Sequence, residues 1–245
     1  LFAHVHVTVW SRRHIERELV PIYCAGANTS PETLFRLLRD RIGGQASVRR
    51  AFDAVTLRRE LFDTDQVDFR AAPSFVRIRD EFRSASSLLR QHKRTFGRTG
   101  VHLSRSITND IVAWAEAPEP TKTVGLLLDR AGSGKSSVLR DVLETLEHRG
   151  IAVLGLKADQ QCADVLSSDD LQQRLGLSCA PERAVAHLAA VGRVVVLVDQ
   201  VDALSLSLAR DQAALNLVLD LVGRIRHLPN VSILLSCRTF DRNTD

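Results

Sequence analysis

The chain has 245 residues, of which 44% are hydrophobic and 25% are charged, and its formal net charge is +4. This composition is typical of a soluble globular protein with one large domain or two smaller ones. No apolar run approaches the roughly 18 residues that span a bilayer, so we expect no transmembrane helix and no membrane partner.

The cysteines and the charges are unevenly spaced. No Cys-x-x-Cys pair occurs among the four cysteines, which are Cys24, Cys162, Cys179 and Cys237. This spacing argues against a zinc site and a disulfide framework, and it predicts inert thiols in a cytoplasmic protein. Residues 1–115 have a charge balance of +7 and residues 116–245 one of −3. A basic half could face nucleic acid or an acidic partner, but its interleaved acidic residues favour a solvated mixed surface.

The first 100 residues are predicted to form a mainly helical region of unknown role. The predicted elements are a strand over residues 2–9 and helices over residues 11–20, 31–43, 47–62 and 75–92. Ser30 is the expected N-cap of the second of these helices. Residues 95–103 are predicted to be a connection and 106–115 a short helix. Because Pro118 and Pro120 interrupt any helix, we place a linker over residues 101–120.

Residues 121–245 alternate between apolar runs and helical patterns. Strands are predicted over residues 124–128, 151–156, 193–198 and 231–236, and helices over residues 135–148, 168–174, 181–191 and 211–227. Nearly continuous apolar strands alternating with helices predict a parallel sheet covered on both faces, hence an α/β three-layer sandwich.

A phosphate-binding loop is the strongest motif. Its glycines let backbone N–H groups approach phosphate oxygens at the positive end of the following helix. We expect Lys135 to bridge the β- and γ-phosphates of ATP and the Ser136 hydroxyl to ligate Mg²⁺. The expected nucleotide contacts are Ala131, Gly132, Ser133, Gly134, Lys135, Ser136 and Ser137. Asp129 stands where the Gly-x-x-x-x-Gly-Lys-[Ser/Thr] pattern has its first glycine.

Acidic residues follow the third predicted strand of this domain. A carboxylate at the end of a strand beside the loop can bind Mg²⁺ through waters, and Asp199 is the candidate. Asp202 is a candidate for orienting the attacking water. Many active ATPases have Glu where this chain has Gln200, so either hydrolysis is slow or Asp202 takes the role of that Glu.

Two further residues lie at the ends of predicted strands. Arg238 is a candidate for contacting the γ-phosphate, and its alternative is a surface ion pair with Asp241 or Asp245. Asp159 is either a ligand-edge residue or a helix N-cap.

The order of the strands resembles that of the P-loop (ASCE) branch that contains the AAA+ ATPases, because one strand lies in sequence between the loop strand and the Asp199 strand. In that branch another strand separates these two in the sheet. The resemblance implies an AAA+-like core, here cut short after the fourth strand.

Three segments together resemble the STAND NTPases, most closely bacterial members linked to antiviral defence. The segments are residues 126–136, the Asp-Gln-x-Asp-Ala-Leu of residues 199–204, and the Ser-x-Arg-x-Phe-Asp of residues 236–241. The resemblance implies an ATP-dependent switch that forms a homo-oligomer and activates an effector when a foreign protein or nucleic acid is sensed. It also implies that His102 and Arg105, in a His-x-x-Arg segment, touch the nucleotide base.

Three other functions remain open from the sequence. One is an AAA+-like ATPase that acts on nucleic acid through the basic N-terminal half. A small-molecule kinase is disfavoured by the extra strand and by the lack of an Arg-rich lid. A degenerate loop that serves as a scaffold is suggested by Asp129 and Gln200.

Overall fold

A computed structural model describes residues 29–45, 54–67, 75–92, 95–96, 101–102, 105–117, 123–204 and 210–239. The strand and helix predicted within residues 2–20 lie outside these ranges. Among the helices in these ranges, none combines the length and the hydrophobicity that a membrane span needs.

The elements are labelled in chain order. They are α1 Pro31–Gln45, α2 Ala54–Asp65, α3 Phe75–Ala85, α4 Ser87–Arg90, β1 Thr95–Phe96, β2 Val101–His102, α5 Ser106–Glu116, β3 Val124–Asp129, α6 Lys135–His148, β4 Ala152–Lys157, α7 Ser168–Leu175, α8 Pro181–Ala189, β5 Val194–Asp199, α9 Arg210–Ile225 and β6 Val231–Arg238. A π-helical turn, Ala158–Cys162, follows β4, and a 3₁₀ turn, Val201–Leu204, follows β5.

The chain divides into two compact units, Leu1–Ala72 and Pro73–Asp245. In the first unit, α1 begins as predicted, since the Thr33 N–H donates to Ser30 Oγ at 3.2 Å. Leu34 and Leu61 are buried together between α1 and α2. The second unit begins near Pro73, earlier in the chain than the domain start placed at residue 121.

The second unit is built on a parallel sheet of four strands in the order β3-β6-β5-β4. In its register, Leu127 of β3 lies beside Ser236 of β6, and Val198 of β5 lies beside Leu235. The prediction that another strand separates the loop strand from the Asp199 strand is therefore confirmed, and β6 is that strand. All four strands end at the same edge, as parallel strands must.

Helices pack on both faces of this sheet, which confirms the predicted three-layer α/β sandwich, but one face of β3 is open, because Leu126 is 60% exposed and Leu128 is 53% exposed. On one face, α5 and α6 pack their apolar sides against Val195 and Leu197 of β5. The other face of β5 is covered as well, because Val194, Val196 and Val198 are fully buried, and α8 contacts both β5 and α9. The core therefore holds the carboxyl ends of the strands in fixed positions.

The helix predicted over residues 75–92 is interrupted at Ser86. There the Ser86 hydroxyl donates to the Phe82 carbonyl at 2.7 Å and accepts from the Gly155 N–H of β4 at 2.8 Å. Gln161 adds a second contact, accepting from the Lys157 N–H at 2.8 Å. These side chains satisfy outward-facing amides of an edge strand, which no neighbouring strand does in the described sheet. A local pattern of apolar residues could not reveal that partner.

The connection predicted over residues 95–103 contains a short antiparallel pair. Thr95 of β1 lies opposite His102 of β2. The remaining predicted helices and strands of this unit are confirmed within a few residues at their ends, and α6 begins and ends where predicted.

We expect Ser86→Ala to lower the free energy of unfolding by about 1–3 kcal/mol, because the buried Gly155 N–H loses its acceptor. Ser84→Ala is the matched control, since exposed Ser84 also donates four residues back, to the Asp80 carbonyl, but does not bond β4 in the described structure. Urea unfolding of the two variants would measure the difference. Equal losses would show that the contact with β4 is not stabilising.

Candidate functional site

The loop between β3 and α6 depends on two glycines. Gly132 has φ of +74° and Gly134 has φ of +90°, a region that residues with a Cβ rarely adopt. Gly134 is the N-cap of α6, so the N–H groups of the first turn begin immediately after it. The sequence thus places glycine where the backbone needs it.

Lys135 lies folded along the loop. Its ammonium donates to the Asp129 carbonyl at 2.6 Å and to the Arg130 carbonyl at 2.8 Å. Ser136 follows in the first turn of α6 with only 8% of its surface exposed. Ala131 and Ser133 lie in the loop and Ser137 in the same first turn, so the seven predicted contacts form one continuous segment.

Asp129 replaces a glycine without strain. It is the last residue of β3, in register with Arg238, and its carbonyl accepts from the Thr239 N–H at 3.1 Å. Its carboxylate accepts from the Arg130 N–H at 2.7 Å. This bond, with a second from the Ser133 hydroxyl, lowers the pKa of Asp129 below its usual value. Asp129 therefore stabilises the turn after β3 through its side chain, although the motif has glycine at this position.

Asp199 is a fully buried carboxylate at the end of β5. Its Oδ1 accepts from the Ser236 hydroxyl at 2.5 Å, and its Oδ2 has no hydrogen-bond partner among the described residues. A buried unpaired carboxylate oxygen is costly unless another group satisfies it. The residue lies one strand beyond β6 from the loop strand, roughly 10 Å across at the usual strand spacing.

A phosphate loop between β3 and α6, with a buried carboxylate at the end of β5 in the same parallel sheet, defines the fold. It is a P-loop NTPase fold. Its sheet has the AAA+-like order, in which β6 lies between the loop strand and the Asp199 strand.

No protein-family model matches the sequence, and neither does any curated protein. Similar solved structures include PCH-2 of C. elegans, at 22% identity over 57% of this chain and 38% of that chain, with a TM-score of 0.39. The Walker-type ATPase paby2304 of Pyrococcus abyssi shows 18% identity over 61% of this chain and 49% of that one, with a TM-score of 0.35.

A third similar structure is the E. coli MS115-1 HORMA:CdnC:Trip13 complex, at 14% identity over 69% of this chain and 57% of that chain, with a TM-score of 0.33. The chain thus spans less than two thirds of each of these structures.

Asp202 and Arg238, both predicted as catalytic, contact each other. The Arg238 N–H donates to Asp202 Oδ1 at 3.1 Å, and the Arg238 Nε lies 3.5 Å from Asp202 Oδ2. The Asp202 side chain is 6% exposed and that of Arg238 is 42% exposed. The alternative partners Asp241 and Asp245 lie outside the described residues.

Gln200, between the two acidic residues, has φ of +59°. This left-handed conformation costs a non-glycine residue about 1–3 kcal/mol and persists where its surroundings enforce it. Here the Gln200 N–H donates to the Ser236 hydroxyl at 3.0 Å. One serine therefore holds both Asp199 and the backbone after it.

The other predicted residues take different positions. Arg105 contacts the phosphate loop, because its Nη1 donates to the Ser133 carbonyl. The backbone of His102 lies in β2, and its side chain is outside the described set. Asp159 lies in the π-helical turn after β4 and does not cap an α-helix, so that alternative is wrong.

Three residues near the site had no predicted role. The sequence showed Ser236 only as the first residue of the Ser-x-Arg motif and predicted no contact for it. Lys157 is 9% exposed and lies in register with Asp199 on the neighbouring strand. His92, whose pKa is lowered by burial and by the charge of Lys157, also senses the charge of Asp199. Their proximity is a tertiary property, and no local pattern indicates it.

Ser236→Ala is expected to lower the free energy of unfolding by about 1–3 kcal/mol, because it leaves both Asp199 oxygens and the Gln200 N–H unpaired. Ser232 provides the control on the same strand. Its buried hydroxyl has no hydrogen-bond partner among the described residues, so Ser232→Ala is expected to be neutral or stabilising. Thermal unfolding of both variants tests this, and an unaffected Ser236→Ala would contradict it.

Proposed function

We propose that this chain binds ATP with Mg²⁺ and hydrolyses it slowly, as the nucleotide module of a STAND-type switch. The observation that carries the proposal is the buried Oδ2 of Asp199, which has no hydrogen-bond partner among the described residues and lies two strands from a phosphate loop. A phosphate loop alone predicts an anion site, whereas the added carboxylate predicts an anion bound together with a hydrated cation.

Ser136 and Asp199 fit Mg²⁺. One offers a hydroxyl from the first turn of α6, and the other offers an oxygen that a metal-bound water would satisfy. Among the described residues no group of three His, Cys, Asp or Glu could hold a metal by itself. This agrees with Mg²⁺, which is usually held by one or two protein oxygens, waters and substrate phosphates. When bound, the ion neutralises charge that develops on the phosphates.

Lys135 and the loop amides bind the phosphate chain. The ammonium lies against the loop carbonyls, and in this proposal its donors turn to the β- and γ-phosphates when the nucleotide binds. In hydrolysis, water attacks the γ-phosphorus, the bond to the bridging oxygen breaks, and ADP and phosphate leave. Asp202 is the candidate for orienting that water.

The Asp202–Arg238 pair supports slow turnover and a switch. While the Arg238 side chain lies against Asp202, that contact competes with any interaction of the two side chains with the γ-phosphate or the water. A γ-phosphate would compete with Asp202 for the guanidinium, so ATP and ADP would favour different positions of Arg238. Gln200, at the place where many ATPases have Glu, further supports a low rate.

The wider function that we propose follows from the resemblance of the three motifs to the STAND NTPases. In this proposal the ATP-bound form assembles into a homo-oligomer in the cytoplasm and activates an effector in bacterial antiviral defence. A foreign protein or nucleic acid would be the trigger.

We expect Lys135→Ala to weaken binding of Mg-ATP by about 10–100-fold, the loss of one charge-assisted contact. Asp199→Asn is expected to bind ATP in EDTA as the parent does, but to gain little from added Mg²⁺. Arg224→Ala and Asp220→Ala, two exposed positions on α9, are the controls. Calorimetric titration measures all four. If Lys135→Ala and Asp199→Asn both bind Mg-ATP as tightly as the parent, the site assignment is wrong.

Asp202→Asn is expected to raise the ratio of ATP affinity to ADP affinity severalfold, because it weakens the competitor for Arg238. Arg238→Ala should lower the same ratio. Sedimentation of the parent with each nucleotide then tests whether ATP alone promotes oligomers. Equal affinity ratios in all three proteins, with no oligomer in ATP, would refute the switch.

A further inference from the structure

Arg105 is held at the phosphate loop by the helix that follows it. It is the residue immediately before α5, and its backbone is extended, with φ of −118° and ψ of 133°. Ile111 and Ala115 of α5 are buried in the same cluster as Leu139 of α6. The buried face of α5 therefore fixes the point from which the Arg105 side chain extends.

The guanidinium of Arg105 makes two kinds of contact with the loop. Its Nη1 donates to the Ser133 carbonyl. It also lies directly on Gly134, since a Cβ built there would be 2.5 Å from Nη2 and 2.9 Å from Cζ of Arg105. By contrast, a Cβ at Gly132 would meet nothing within 4 Å. A side chain at position 134 would thus be strained by the positive φ and would also displace the Arg105 guanidinium from the loop.

The peptide that joins Ser133 to Gly134 has its carbonyl and its N–H on opposite sides, because it is trans. The bond from Arg105 fixes the direction of the carbonyl. The Gly134 N–H must then point away from Arg105, and no described residue accepts a hydrogen bond from it. A cationic donor on the carbonyl also polarises the peptide and makes its N–H a stronger donor.

We propose that Arg105 is a positioning residue that turns the Ser133–Gly134 peptide so that the Gly134 N–H faces the bound phosphates. The proposal rests on the proposed nucleotide site and assigns one residue's role within it. It replaces the contact with the nucleotide base that the His-x-x-Arg resemblance implies. Arg105 acts through the loop, which is common to every nucleoside triphosphate, and not through the base.

Two ligands separate these roles. Inorganic triphosphate carries the phosphates without a base or a sugar, and ATP carries all three. Arg105→Met removes the donor, whereas Arg105→Lys keeps a cationic donor on an unbranched chain. Arg83→Met, an exposed arginine of α3 whose side chain is 62% exposed, is the matched control. Because Arg105 is itself exposed, each variant is expected to fold, which circular dichroism checks before titration.

We expect Arg105→Met to weaken binding of Mg-triphosphate and Mg-ATP by the same factor, about fivefold, as for one lost charge-assisted hydrogen bond at an exposed position. Arg105→Lys should retain most of the affinity, and Arg83→Met should match the parent. The factor should stay the same between low and high salt, because a peptide held in place is not screened as a distant charge is. The Gly134 amide proton should shift less on adding triphosphate to Arg105→Met than to the parent.

The other outcomes overturn the proposal in distinct ways. Loss of ATP affinity with unchanged triphosphate affinity would show that Arg105 contacts the base or the sugar. A loss that shrinks strongly in high salt would make it a direct charge contact. Equal losses in the Lys and Met variants, or no loss in either, would show that the donor to Ser133 has no effect. If the parent binds neither ligand, the proposed function itself fails.

Discussion

The structure of the site depends on one constraint, the position of β6 between β3 and β5. Parallel strands end at one edge, so this order places the loop after β3, Asp199 at the end of β5 and Arg238 at the end of β6 along the same edge. The middle strand also supplies Ser236, whose hydroxyl bonds Asp199. A sheet with β3 and β5 adjacent would bring loop and carboxylate closer but would have no serine between them.

Around that strand, the charged groups are arranged in pairs that a nucleotide would rearrange. Lys135 bonds loop carbonyls, and Arg238 bonds Asp202. Both cations therefore have protein partners, and the phosphates of the proposed nucleotide would have to compete for each cation. Burial, followed by the charge of Asp202, raises the pKa of the Cys237 thiol, while Lys135 opposes the rise. One thiol of β6 thus senses charges from α6 and from the turn after β5, which shows how closely these elements converge.

The loop itself is supported from three directions. Its own backbone supplies two glycines with positive φ, β3 supplies the Asp129 carboxylate, and the segment before α5 supplies Arg105. Arg105 lies outside residues 121–245, the segment that the sequence predicts to form the α/β core. A helix and an arginine that precede the linker prolines therefore belong to the same compact unit as the loop they contact.

The sequence by itself determined the elements and their chemistry. Apolar runs specified the strands, although β3 is half-exposed, the Gly-Ser-Gly-Lys run specified the loop, and the sequence placed Asp199 and Arg238 at strand ends. These signals are local, since each depends on residues within one turn or one strand. Tertiary structure alone decided that Ser236 bonds Asp199, that Asp202 pairs with Arg238, and that Ser86 interrupts a helix to bond β4. Such contacts join residues far apart in the chain, and only the packing of strands and helices brings them together.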